Sequence, residues 1–469
     1  NASHTYAYSI IALQEMNLAK YFPVIFWNTA NLIVDSGGDQ FDLEDDEDEN
    51  LDDVDMSLSE DEEENEQEEK VKNKSADYDK IAAVIGKFKE YGIIVDPPDI
   101  NESSFTFTPI VEENRILYGL RGITSVGIDI IKSIMANRPY NSMQDFLTRV
   151  KVKKPQMINL IKCGAFDKIE GRPREEIMWQ YIDTIADKKA RLTLQNMQML
   201  ITKELIPDEM AFYAKLFLFN KFLKTCKAEE YYDLNDDAIE FITNNFDANI
   251  IDNGHMVLQR VWDKIYSKGM EPMRVYLKEH QTDLLLKLNG NLYDEVVNKY
   301  GKGNISRWEM ESVNYYSHEH ELACAQKNYD DFFALDEEPE IDYTFQTHGQ
   351  TINVYKLHRI IGTVIGKNKL KNTVTLLTPT GVVTVKIYKN QYSIYDKQIS
   401  ATGDDGKKHI QEKSWFARGT LLMIQGIRRG NDFIPKKTKS SIYPIISKIT
   451  HINDDGLLSF QYDRVEVEE

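Results

Sequence analysis

Helical spacing opens the chain. Tyr6, Ile10, Leu13, Asn17 and Tyr21 recur at three- and four-residue steps and predict a helix over residues 2–26, ending near Pro23 and capped by Ser3. The same spacing returns at Ile81, Val84, Ile85 and Phe88 and stops at Gly92. Val95-Asp-Pro-Pro98 is held extended by its paired prolines. Phe105–Thr108 alternates like a strand and is expected to pair with Arg115–Tyr118 across Glu112–Asn114. Short helices joined by glycine turns follow. Helical spacing then dominates from Ile177 through Met210–Leu223, Asp236–Phe246, His255–Lys264 and Pro272–Leu288. Beyond Leu357 the period becomes two. Ile360–Ile365, Thr373–Leu377, Gly381–Ile387, Thr420–Ile424 and Ile442–Ile449 predict five strands, which suit a small barrel of the OB type. The expected fold class is α+β and multidomain: a mainly helical N-terminal two thirds and a C-terminal barrel.

Both patterns vanish over residues 37–77. From Asp39 to Glu69 there are 19 acidic residues and no basic one. The formal charge of −20 is therefore local, since the rest of the 469 residues carries 56 basic against 57 acidic groups. Such a segment buries too little apolar surface to offset its ordering entropy and is expected to be a disordered insert. It reads as a solvated spacer, or alternatively as an electrostatic mimic of DNA on basic surfaces elsewhere. No run of 18 apolar residues suggests a membrane partner. Cys163, Cys226 and Cys324 lack CxxC spacing, which argues against structural zinc and a disulfide scaffold and favours a reducing cytoplasm. Opening inside a helix is what a fragment of a longer protein would do.

Candidate chemistry concentrates where the charge balance turns basic. Arg115 to Arg174 holds 12 Lys or Arg against 4 Asp or Glu. Within it, Leu120-Arg-Gly-Ile-Thr-Ser-Val-Gly-Ile128 has the Gly-hydrophobic-x-x-hydrophobic-Gly form of a helix-hairpin-helix turn. Gly122 and Gly127 would allow a conformation that a Cβ disfavours. The amides of Thr124, Ser125, Val126, Gly127 and Ile128 could then face a phosphate at a helix N-terminus, with Lys132 and Arg138 as counter-charges. Such a site holds backbone and does not read base sequence. An ordinary helical corner is the plainer reading of this motif taken alone.

Flanking residues change the odds. Arg115–Ile123, Asn137-Arg-Pro-Tyr-Asn-Ser-Met-Gln-Asp-Phe-Leu-Thr-Arg-Val150 and Leu160-Ile-Lys-Cys-Gly-Ala-Phe-Asp167 closely resemble the C-terminal region of C-family bacterial replicative DNA polymerases, the DNA polymerase III alpha subunits. Tyr91–Ser103 is similar to the segment that approaches that region, and Asn1–Ile11 with Tyr21-Phe-Pro23 to the family's fingers motif. Met310–Leu322 is a looser match to a further family block. The resemblance implies this order: end of fingers (1–36), the acidic insert (37–77), a tandem helix-hairpin-helix DNA-binding region (78–174), a helical connector (175–335) and an OB domain (350–469). It implies nucleotide contacts from Ser3, His4 and Tyr8, although Ala2 stands where the family usually has a lysine. The acidic insert and the weak match of residues 175–305 fit a divergent, phage-encoded relative. Catalysis in the family uses palm carboxylates that hold two Mg²⁺ ions, and those are expected upstream of residue 1. The implied partners are duplex and single-stranded DNA, the missing palm portion and a sliding clamp. For the clamp, Gln326–Phe333 fits the usual peptide poorly. A non-catalytic DNA-binding accessory protein descended from such a polymerase is the alternative.

Two further clusters invite functional readings. His318-Glu-His320 would point its imidazoles about 200° apart on a helix, so a structural role is expected and no metal. The barrel region carries 17 basic residues, Arg359 to Lys448, against 5 acidic. Thr384, Lys386 and Tyr388 should share one strand face. Tyr392, Trp415, Arg428, Arg429 and Phe433 are expected in or beside loops, where cations track phosphates and rings stack on bases. The competing reading puts the aromatics in the barrel core.

Overall fold

The computed structural model describes residues 2–36, 78–88, 91–328, 332–347, 350–402, 408–430, 432–437, 444–453 and 455–464. The acidic insert expected at 37–77 lies outside the described residues. The chain divides into two compact units, residues 1–178 with 303–469, and residues 179–302. The block expected as one connector over 175–335 is thereby split: 303–335 belongs with the first unit.

In the first unit, α1 (Ala2–Tyr21) starts one residue ahead of the expected cap, Ser3. Pro23 separates it from α2 (Val24–Asp35), which buries Ile25, Thr29 and Leu32. The predicted stripe on α1 is solvent-exposed, Tyr6, Ile10, Leu13 and Tyr21 included. α3 (Tyr78–Phe88) buries Ile81, Ala82, Ile85 and Phe88, the one-turn recurrence read from the sequence. A three-stranded sheet follows, with β1 (Ile94–Asp96) parallel to β3 (Arg115–Leu117) and β2 (Thr108–Ile110) antiparallel to it. The strand expected at Phe105–Thr108 thus begins at Thr108, and the segment expected only to be extended supplies β1.

α4 (Ile128–Ala136), α5 (Met143–Arg149) and α6 (Lys154–Lys162) come next. Ser142 caps α5 by accepting the Asp145 N–H, and Asp145 accepts the Asn141 N–H in return. α6 runs through the core of this region with Met157, Ile158, Leu160 and Ile161 all buried. The chain returns to this unit at α7 (Ile305–Ser312), capped by Asn304, with Trp308 and Met310 buried.

The barrel consists of β4 (His358–Asn368), β5 (Thr373–Thr378), β6 (Gly381–Lys386), β7 (Leu421–Arg429) and β8 (Asp432–Pro435). Neighbouring strands run β4-β5-β6-β8-β7, and β7 pairs with β4 to close the ring. All pairs are antiparallel except β6 with β8. A five-strand ring with a parallel pair between its third and fifth strands is the OB topology. The fifth strand is the short Asp432-Phe-Ile-Pro435, not the expected 442–449. Residues Ile446–Ile452 instead pair with β7 beside the ring, and Leu458–Gln461 pairs with them.

The second unit is mainly helical around Trp262, Leu216, Leu223, Met273 and Leu288, with Phe219 and Phe246 edge-on to the Trp262 ring. It also holds a small sheet, from Lys227–Ala228 through Tyr231–Asp233 and Met256–Leu258 to Ile251–Asp252, which helical spacing did not predict. Its entry and exit meet: Gly301 lies against the Trp179 ring, where a Cβ would sit 2.6 Å from a ring carbon.

Candidate nucleic-acid interface

The hairpin begins with one 3₁₀ turn, Leu120–Gly122, and not with an α-helix. Two glycines are required for close approach. A Cβ on Gly119 would lie 2.4 Å from the Thr106 carbonyl carbon, and one on Gly122 would lie 2.6 Å from the Tyr118 ring. The left-handed residue of the turn is Ser125, at φ 64°. Gly127 has φ −79° and ψ 171°, and nothing lies within 4 Å of where its Cβ would be. The expectation that Gly127 serves a conformation closed to other residues is corrected, because this is ordinary extended backbone.

The hairpin amides are also fewer than expected. The Thr124 N–H donates to the Ser312 carbonyl at 2.8 Å and the Val126 N–H to Ile123 at 3.2 Å. The lip left is Ser125, Gly127 and Ile128, with Ser125 and Gly127 exposed, at the N-terminus of α4. Asp129 in the first turn of α4 sets a carboxylate beside that lip. Three contacts fix the turn from behind. Tyr118 Oη donates to the carbonyls of Gly122 and Val313, and Asn159 Nδ2 on α6 donates to the Thr124 carbonyl at 2.8 Å.

Arg138 is corrected as a counter-charge. Its Nε donates to the Ile100 carbonyl at 2.7 Å and its Nη2 to Ser103 at 2.6 Å, and burial lowers its pKa. Beside it, Asn101 makes a reciprocal pair with the Tyr140 backbone, so the Pro-Pro-Asp-Ile-Asn segment fastens the link between α4 and α5. Most other cations of this region are held internally. Arg115 pairs with Asp96, Lys162 with Glu311, Lys168 with Glu102, Arg172 with Glu170, and Arg149 with Asp145 while stacking over Tyr140. Lys132 and the run Lys151, Lys153 and Lys154 leading into α6 are solvent-exposed. Sequence reasoning missed that run, although Lys-Val-Lys-Lys before a helix start was the available signal.

In the barrel, Lys386 and Tyr388 are exposed on the outer face while Val383 and Val385 point inward, as alternation required. Lys386 pairs with Asp432 at 2.5 Å. Tyr392, Trp415 and Phe433 are corrected: all three fill the barrel core. Residues 389–395 form a helix between the third and fourth strands, and it drops Tyr392 into the ring. Trp415 Nε1 is satisfied by the buried Glu412 at 2.7 Å. Arg428 turns inward to the carbonyls of Leu335 and Glu337, whereas Arg429 stays exposed. The β4–β5 turn carries Lys369, Leu370 and Lys371, and Leu370 is 90% exposed. The Asn372 carbonyl accepts the Ile387 N–H at 2.9 Å, which brings this turn beside Tyr388 and Lys389.

Tyr8 is exposed on α1, which also contains Ser3 and His4. Phe332 and Phe333 of the clamp-peptide candidate are buried, and Gln326 Nε2 donates to the Phe332 carbonyl. Among the described residues no cluster of three His, Cys, Asp or Glu is placed to hold a metal, and no helix is long and apolar enough to cross a membrane. His318 and His320 have structural partners: His318 bonds Glu309 and Ser306, and His320 accepts the Leu322 N–H and donates to the Leu377 carbonyl.

Backbone-presenting helical hairpins and an OB-type ring in one unit mark a nucleic-acid-binding architecture. The helix-hairpin-helix motif family matches residues 92–177. Over 99% of its length the chain is 38% identical to a DNA-directed DNA polymerase of Bacillus phage SPbeta, and the match covers 35% of that protein. YorL of Bacillus subtilis strain 168, named a probable DNA polymerase, gives the same figures. The DNA polymerase III alpha subunit of Chlamydia trachomatis serovar D is 34% identical over 24% of this chain and 10% of its own length. That of Thermus aquaticus is 38% identical over 21% and 8%. The resemblance read from the motifs holds: the chain is a relative of the C-family DNA polymerases and corresponds to their C-terminal region. It spans about a third of the length of the phage and Bacillus relatives.

Proposed function

We propose that this chain is the DNA-holding portion of a DNA-directed DNA polymerase that works in the cytoplasm of a bacterial or phage-infected cell. The hairpin region grips the backbone of template–primer duplex. The lip at Ser125, Gly127 and Ile128 receives a phosphate, and Lys132 with Lys151, Lys153 and Lys154 adds long-range attraction. The barrel end at Lys369, Leu370, Lys371 and Tyr388 contacts single-stranded template. Nucleotide addition belongs to palm carboxylates outside this chain. Two Mg²⁺ ions there would stabilise the attacking oxygen and the leaving pyrophosphate. Ser3, His4 and Tyr8 would touch the incoming nucleotide.

The observation that carries this reading is the pairing of a braced α4 N-terminus, exposing backbone amides, with 38% identity to a named polymerase along 99% of the chain. Primer extension with Mg²⁺ and four deoxynucleotides tests it. The chain alone should bind primer–template and extend nothing, and adding the remaining polymerase portion should restore synthesis. Extension by the isolated chain, abolished by one Asp or Glu substitution within residues 77–469, would overturn the division of labour.

A further inference from the structure

Behind the hairpin lies a buried charge cluster with no part in the proposed phosphate contacts. Glu309 on α7 is 1% exposed and accepts from four donors: Arg174 Nη1 at 2.9 Å, the Ser317 N–H at 2.9 Å, Ser317 Oγ, and His318 Nδ1 at 2.9 Å. Arg174 also donates to the Lys162 carbonyl at the end of α6 and pairs with Asp167. Two residues past Glu311, itself paired with Lys162, the Val313 carbonyl accepts Tyr118 Oη; one residue earlier the Ser312 carbonyl accepts the Thr124 N–H. The 305–318 segment therefore reaches both α6 and the first residue of the phosphate-facing turn.

We infer that this segment is a positioning brace for the hairpin, with Glu309 as its anchor and the charge on His318 setting how firmly it holds. This deepens the DNA-holding reading and rests on it. Charge balance gives the reason. Arg174 faces two carboxylates, Glu309 and Asp167, and a protonated His318 brings these four groups to neutrality. Neutral His318 can keep both bonds, donating from Nδ1 to Glu309 and accepting at Nε2 from Ser306 Oγ at 2.9 Å, but leaves the groups around the buried Glu309 with a net negative charge. The other charged groups facing the cluster are the Lys162–Glu311 pair with Arg307, and Glu321 and Glu175. The bond to Glu309 raises the His318 pKa. Burial alone would push the Glu309 carboxyl up, but donors from His318, Arg174 and Ser317 outweigh it and leave it low. Below its ordinary value His318 is charged and the brace is complete, and this contribution is lost as pH rises through the raised value.

The test uses the full chain, a fluorescent duplex and amide exchange at Thr124. Wild-type affinity should fall about fivefold or more as pH rises between about pH 5 and 8. His318→Asn, which can donate to Glu309 without titrating, should bind at every pH yet lose that step beyond the pH dependence that other groups supply. His318→Ala should speed Thr124 exchange while global melting changes little. A step retained in His318→Asn, or Thr124 protection unchanged in His318→Ala, overturns the brace. If the wild type binds no duplex, the DNA-holding reading falls instead, and the exchange measurement alone decides the brace. Glu309→Gln is the more severe variant; should it not fold, the two substitutions at the half-exposed His318 decide the matter.

Discussion

The hairpin region and the barrel are both rich in cations, and the sequence suggested DNA contact for each on similar grounds. They differ in what carries the contact. In the hairpin the exposed element is backbone, so its place follows from turn geometry, and most neighbouring cations can be spent inside the fold without removing it. In the barrel any contact must come from side chains, and the same aromatic residues that stack on bases also fill cores. Three of the four expected rings, Tyr392, Trp415 and Phe433, are buried, and only Tyr388 faces solvent. Composition and charge cannot separate those roles; position along the strands can.

The largest effect expected is on stability. Trp415→Ala removes a fully buried ring and one of the donors to the Glu412 carboxylate, which keeps Gln461 and Arg464. The barrel should lose about 3–5 kcal/mol, read by denaturant melting. A stable variant that had lost only single-strand affinity would return Trp415 to the surface reading. A smaller effect is expected from Tyr388→Ala. It should weaken single-stranded DNA by about 1–3 kcal/mol, read by fluorescence titration, and leave duplex affinity and melting unchanged. An effect of the same order, on stability, sharpens the hairpin side. Gly122→Ala presses a methyl group into the Tyr118 ring and should destabilise by roughly 1–3 kcal/mol. Gly127→Ala, in open space at an ordinary φ, should change neither melting nor duplex binding measurably. A large loss at Gly127 would mean that phosphate approaches closer to that backbone than a Cβ permits.

Much of the fold was legible in advance because periodicity is a direct consequence of burial. The stripe on α3 and the four long barrel strands followed from it, and the hairpin followed from its glycine spacing. The fifth strand was not, because Asp432-Phe-Ile-Pro435 is too short to show alternation, while the apolar 446–452 run was the stronger signal and belongs beside the ring. At the site, Gly127 and Arg138 misled for a common reason. A residue type suited to a role does not reveal whether the three-dimensional environment has engaged it elsewhere, and Arg138 is bound to two carbonyls contributed from residues 100 and 103. The brace was out of reach of any local pattern, since Arg174 and Glu309 stand 135 residues apart.

That separation has a consequence in time. A ribosome adds roughly 5–20 residues per second, so the Arg174 guanidinium emerges about 7 to 27 s before its carboxylate partner. The Ser312 carbonyl that receives the Thr124 amide comes later still. In that interval the second unit, whose ends meet at Trp179 and Gly301, can close on its own core. The hairpin region must wait for it. During synthesis the 305–318 segment completes the earlier-made hairpin region, and the turn proposed to hold DNA is braced only after the second unit has been translated.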